Sequence, residues 1–342
     1  MFQFGELEIP LIAAPMAGGP STPDLVVHVC EAGGLGFLAA GYKTPAALDA
    51  QIREVGTRTD RPFGVNVFVP QENSWDLRVV EEYRSRLRET TQRYGVEPPP
   101  IRERDDDWFA EKIALLVEHR VPVVSLTFGL PPAETIHRLH DAGCAVVATV
   151  TAPEEAHAAV DARVDALCVQ GPDAGGHRAT FRVEDEPGTT PLPELLGEIV
   201  PWSPVPVIAA GGIGTGRQIV EALAYGAVAV QLGTVFLRTP ESGAKRAHKD
   251  ALGDPRYTRT VVTRAFSGRP ARGLANTFIE TYDRSAPAAY PQVHHLTSPL
   301  RAAAAEQGNA EDMALWAGTT FRHAVPDSAA SIVRRLWEEA RA

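Results

Sequence analysis

PVIAAGGIG (Pro206–Gly214), followed one helix later by VAVQLGT (Val228–Thr234), decides how this chain folds. The first stretch is an apolar run rich in Val, Ile and Ala that stops at Gly211-Gly212. Thr215–Tyr225 reads as a helix, and a second apolar run then ends at Gly233-Thr234. Strand, glycine turn, helix, strand and glycine turn make a parallel unit whose strand ends leave backbone N–H groups uncovered on one rim. Glycine lets backbone approach a ligand closely, and the following helix N-terminus adds partial positive charge. Such a pair of turns suits a phosphate.

Working outward, six further apolar runs precede these two: Leu11–Ala14, Gly36–Ala39, Gly64–Val69, Val123–Leu126, Ala145–Thr149 and Ala166–Val169, with Val207–Ala210 and Val228–Leu232 closing the series. Their near-continuous apolar character fits parallel strands covered on both faces. Helices between them open with Pro or acid in the first turn, as at Thr22-Pro23-Asp24, Thr44-Pro45 and Thr151–Glu155. Eight strand–helix units predict a (β/α)8 TIM barrel, which binds phosphate after its seventh and eighth strands and works at the strand C-termini. We expect the barrel over 1–252, with a helical insertion at about 75–118 carrying two helical patterns broken by Gly95 and Pro98–Pro100. Pro240–His248 reads as a helix covering the last strand. Asp254–Gly318, without strand-like alternation, is expected to form a lid or substrate subdomain (253–320). Residues 321–342 should return to the barrel, with an amphipathic helix over Ser328–Ala342.

The 342 residues are 44% hydrophobic and 22% charged, enough for a full core. A net charge of −10 without a basic block argues against nucleic acid or an anionic membrane as partner. Cys30, Cys144 and Cys168 are widely spaced and read as buried hydrophobes, not a disulfide framework or a zinc site. With no signal-like N-terminus and no apolar run near ~20 residues, the expectation is a cytoplasmic protein. A homo-oligomer and a monomer are both open.

Polar residues interrupt the apolar strand ends. Ala14-Pro15-Met16 follows the first strand, Asn66 sits within the third, Gln170 ends the sixth before Pro172–Arg178, and Gln231 lies in the eighth. Singly each is an ordinary structural feature; together they occupy one rim. Asn and Gln amides offer both donor and acceptor to the edge of an isoalloxazine ring. A donor near its pyrimidine end stabilises the reduced anion, and His177, after Gly175-Gly176, is the candidate. Arginines in Thr263–Gly273 read chiefly as structural, and His294-His295 lacks the third ligand a metal site needs, so no metal is expected.

APMAGG, NVFVP, SLTFG, QGPDAGGHR, PVIAAGGIG, QLGTVFL, TRAFSGRPARG and LWAG occur in an order that resembles the nitronate monooxygenases (2-nitropropane dioxygenases), in particular the bacterial class I branch, from Pro10 to about Gly318. The resemblance implies an FMN cofactor with its phosphate on Gly211-Gly212 and Gly233-Thr234, beside Ala210. It implies Met16, Asn66 and Gln170 against the ring and His177 on its reactive side. The family's HRG is His177-Arg178-Ala179 here, and Asp173 replaces a Glu. Tyr290, His294 and His295 stand where class I members present Tyr and Lys to substrate, without a matching Lys.

The expected reaction is oxidation of an alkyl nitronate, propionate 3-nitronate by resemblance, with O2 through an anionic flavin semiquinone to a carbonyl compound and nitrite or nitrate. A near-neutral pKa would let His177 act as imidazolium or as base. The alternatives are an NAD(P)H-dependent flavin reductase acting on a quinone or enoyl-thioester, and a flavin-binding protein without turnover.

Overall fold

The computed structural model describes residues 2–71 and 75–342. Eight strands close a barrel in the order β1 (Leu11–Ala13), β2 (Leu35–Ala39), β3 (Gly64–Phe68), β4 (Val123–Thr127), β5 (Ala145–Val150), β6 (Ala166–Gln170), β8 (Val207–Ala210) and β9 (Ala229–Leu232). All eight apolar runs are thus strands, and β7 (Gly176–His177) lies outside the barrel. Neighbours pair in parallel, and β9 closes on β1 with Leu11 opposite Val230 and Ala13 opposite Leu232. Side chains pointing inward (Ile12, Leu35, Phe37, Val123, Val147, Cys168, Ile208) fill the barrel, so it is a packed core and not a pore.

Helices α1 (Pro23–Glu31) and α2 (Pro45–Arg58) start as the sequence indicates: Thr22 and Thr44 side chains accept from the backbone N–H groups of Leu25 and Ala47, with Pro in the first turn. The β3–β4 connection holds three helices rather than two patterns: α3 (Leu77–Arg86), α4 (Arg88–Arg93) and α5 (Phe109–Glu118). Ile113 and Leu116 of α5 join the barrel core, whereas Val80 and Tyr83 of α3 pack with Phe266, Phe278 and Leu300 of the C-terminal region. Around the rest of the barrel run α6 (Ala133–Asp141), α7 (Pro153–Asp161), α8 (Leu192–Ile199) and α9 (Gly216–Ala224). After β9, helix α10 spans only Arg246–Ala251, so the expected helix from Pro240 begins six residues late.

The expectation that Asp254–Gly318 lacks strands is corrected. β10 (Thr260–Thr263) and β11 (Ala271–Leu274) form an antiparallel pair, and β11 also pairs with β7, placing Ala271 opposite His177. This small sheet hangs over the rim of the barrel. Behind it lie α11 (Thr277–Tyr282) and α12 (Gln292–Glu306). Finally α13 (Ala329–Arg341) buries Ile332, Val333 and Leu336 against the barrel helices. No described helix is long and apolar enough to cross a membrane.

Candidate active site

Between the barrel rim and the small sheet lies a cavity of about 470 Å³, within the range for small-molecule and cofactor sites. Ala14, Pro15, Met16, Asn66, Gln170, Gly175, Gly176, His177, Ala210, Gly211, Gly212, Gln231, Gly233, Thr234 and His294 all line it. The topology explains why. β8 and β9 are adjacent, with Ala210 opposite Gln231, so their glycine turns emerge side by side. Gly211 and Gly212 have φ of +98° and +74°, and an added Cβ would meet Ala174 Cβ at 2.9 Å and Asp173 Cβ at 2.8 Å respectively. Gly233 has ordinary backbone angles and instead starts a short 3₁₀ turn, Thr234–Phe236. Thr234 Oγ1 accepts from Gly318 N–H at 2.9 Å, tying this turn to the C-terminal region.

The amides are less free than the sequence suggests. Asn66 is buried, and its Nδ2 donates to Ser125 Oγ and Thr127 Oγ1, both at 2.9 Å. Gln170 braces the glycine loop: its Oε1 accepts from Arg178 Nε at 3.2 Å and Ala179 N–H at 3.1 Å, while its Nε2 donates to the His177 carbonyl at 3.1 Å. Gln231 Nε2 donates to Cys168 Sγ at 3.3 Å. Burial pushes that thiol up to about 12, so Cys168 is a packing residue.

His177 sits among Phe128, Tyr290 and Trp316, with ring centroids 5.6–5.8 Å away. Its Nε2 lies 2.9 Å from Ser267 Oγ. The Ser267 hydroxyl donates to the Arg269 carbonyl at 3.1 Å, so it accepts from His177 and the ring hydrogen is on Nε2. Nδ1 keeps the lone pair and has no hydrogen-bond partner among the described residues. Burial, reinforced by the Arg269 and Arg301 cations, lowers His177 to about 3. The near-neutral pKa expected from sequence is therefore corrected: in this setting the ring is a neutral imidazole, not an imidazolium.

Tyr290 and His295 do not line the main cavity. They face a small adjoining space of about 40 Å³ with Asp105, Arg269 and Tyr42. His295 Nε2 stands 2.7 Å from Asp105 Oδ2, and Tyr290 Oη donates to Tyr42 Oη at 3.0 Å. His294 turns the other way and stacks on Tyr42, centroids 3.8 Å apart.

Sequence reading missed Tyr42, Ser267, Trp316 and Arg301, all of which line the cavity, and the role of Arg269. Arg269 is fully buried, 4.0 Å over the Phe128 ring, and donates to the Thr180 carbonyl and Gln71 Oε1, both at 2.6 Å. Among the described residues neither Arg269 nor Arg301 is paired with a carboxylate, unlike Arg264, which meets Glu186 at 2.8 Å. A chain of net charge −10 thus carries a locally positive site.

Comparison with known proteins gives the family and agrees with the fold. The chain is 38% identical over 340 residues to a probable nitronate monooxygenase of Staphylococcus saprophyticus, spanning 98% of this chain and 95% of that one. Its structure superposes on a nitroalkane oxidase from Streptomyces ansochromogenes with a TM-score of 0.95 and 48% identity, covering 99% and 97% of the two chains. A more distant likeness is to FabK from Thermotoga maritima, with a TM-score of 0.76, 27% identity and coverage of 98% and 94%. Since the family profile described as nitronate monooxygenase matches residues 3–339, the chain belongs to the nitronate monooxygenase family and is an oxidoreductase.

Proposed function

We propose that the enzyme oxidises alkyl nitronates with O2 at a bound FMN, propionate 3-nitronate being the substrate suggested by the resemblance. The carrying observation is one cavity that joins two glycine turns to an uncharged imidazole, with Arg301 lining the same cavity and Arg269 the adjoining space, neither paired with a carboxylate among the described residues. The residues fit FMN. Gly211, Gly212, Gly233 and Thr234 line the cavity from adjacent strand ends, so their backbone N–H groups stand where a phosphate is expected. Ala14, Pro15, Met16 and the strand ends bearing Asn66, Gln170 and Gln231 would floor the ring. FMN, when bound, supplies the electron acceptor between substrate carbon and O2.

The chain's own residues supply binding, orientation and proton control. Arg269 and Arg301 make the cavity favourable to an anion, which a nitronate already is. His177 Nδ1 presents a lone pair on a rigid ring, and the Ser267 hydrogen bond holds its tautomer. With the free site holding His177 down at about 3, the ring is a weak base. Preformed nitronate is accordingly the better substrate than neutral nitroalkane. Phe128, Tyr290 and Trp316 exclude water around the ring. In the products the substrate carbon has gained oxygen from O2 and lost its bond to nitrogen, giving a carbonyl compound with nitrite or nitrate.

The test is oxygen uptake and nitrite release by purified protein given a nitronate, the same nitroalkane kept neutral, or NADPH. Turnover should follow the nitronate. Rapid bleaching by NADPH with no nitronate turnover would instead assign a reductase.

A further inference from the structure

Arg301 projects from α12 into the cavity and is held from three sides. Its Nε donates to Thr297 Oγ1 at 3.1 Å, and its Nη2 to Ser298 Oγ at 2.8 Å and the His294 carbonyl at 3.2 Å. Nη2 also lies 3.2 Å from His294 Nδ1. A guanidinium only donates, so that nitrogen accepts and the His294 hydrogen must be on Nε2. Two donors are left: Arg301 Nη1 and His294 Nε2 make no hydrogen bond to any described residue. Both side chains line the cavity.

Among the described residues no acid pairs with Arg301. The groups that favour Arg301's charge are the Tyr42 and Tyr83 hydroxyls, and burial brings the guanidinium down to about 10, still charged at neutral pH. His294 is held well below its ordinary value by burial and by Arg301, so it stays a neutral donor. A cation already fixed in one geometry loses little freedom on binding, and a planar guanidinium matches a carboxylate.

We infer that Arg301 Nη1 and His294 Nε2 form a subsite for a carboxylate on the substrate chain, making Arg301 a specificity-determining residue for carboxylated nitronates. The inference rests on the function proposed above. His177 and Arg301 line the same cavity, so a substrate held by its carboxylate at one presents its nitronate carbon toward the other.

The experiment compares kcat/KM for propionate 3-nitronate with that for propyl 1-nitronate, which has the same carbon count and no carboxylate, in wild type, R301Q and R301K holoenzymes. The ratio should fall about 10- to 100-fold in R301Q, chiefly through KM for the carboxylated substrate, and recover in part in R301K. A ratio unchanged within about 3-fold, or equal loss on both substrates, overturns the subsite. Propionate alone, titrated against the flavin absorption of each holoenzyme, gives a second reading: binding should weaken about 10-fold or more in R301Q. If wild type oxidises neither nitronate, the proposed function fails, and the propionate titration decides the subsite by itself. Propionate bound equally by wild type and R301Q would then refute it.

Discussion

Gly211→Ala is the sharpest single perturbation of the glycine cradle. Gly211 has φ +98°, and an added Cβ would lie 2.9 Å from Ala174 Cβ, 3.0 Å from Ala174 N and 3.1 Å from the Gly171 carbonyl. Those neighbours are short and largely backbone, so they cannot swing away. The positive φ costs an alanine about 1–2 kcal/mol, and overpacking adds about 1–3 kcal/mol. Together these destabilise by roughly 2–5 kcal/mol. At ~2.1 cal/mol/K per residue, a chain of 342 residues loses about 1.4 °C per kcal/mol, so Tm should drop by about 3–7 °C. Because the displaced loop lines the cavity, flavin content should fall with it. Gly188→Ala is the control: nothing lies within 4 Å of its added Cβ and its φ is not positive, so Tm should stay within about 1 °C. Differential scanning fluorimetry and absorbance at the flavin band read both quantities. A G211A protein with wild-type Tm and full flavin would mean that the turn accommodates a Cβ and does not shape the flavin site.

Three further outcomes are expected. His177→Ala should retain flavin and lose about 10²- to 10⁴-fold in kcat; stopped-flow traces with nitronate would show the defect, and normal turnover would remove His177 from the chemistry. Ser267→Ala frees the His177 tautomer and should lower kcat about 10-fold with little change in KM, while Ser267→Thr, which keeps the hydroxyl, should restore most of it. Finally, His177 (about 3) and His248 (about 4) both sit below the ordinary 6.5, chiefly through burial. The unfolded chain then binds more protons than the folded one below that value, so stability is full above pH 6.5 and is lost as pH falls toward 4. Thermal melts of the flavin-stripped protein should show this decline, and His248→Asn should flatten it; a Tm flat across that range would contradict the burial argument.

The barrel was legible because each strand is a short apolar run stopped by glycine or a polar residue, a pattern that depends on local chemistry. Gly211 and Gly212 could be placed on the rim for the same reason. The β10–β11 hairpin was not legible. ARGL (Ala271–Leu274) does not alternate, because it pairs with Thr260–Thr263 on one side and the His177 loop on the other. Gly273 is close to Leu315 and Trp316, where a larger side chain has no room. Arg301 precedes the Ala302–Ala305 run and belongs to no motif, and only the tertiary fold turns it into the cavity. Gln170 shows the converse error. Its position at the rim was readable, but its amide is spent on Arg178, Ala179 and the His177 carbonyl, which no spacing rule reveals. The His177 pKa was misjudged for the same reason, since the burial that chiefly lowers it and the two arginines that add to it come from segments distant in sequence.

On the proposed function, two neighbouring glycine turns grip a flavin through its phosphate. Dissociation constants of the stripped protein for FMN and for riboflavin, which lacks only that phosphate, test it most directly. Several charge-assisted backbone hydrogen bonds predict FMN binding at least about 100-fold tighter than riboflavin. Equal affinity for the two would contradict the account.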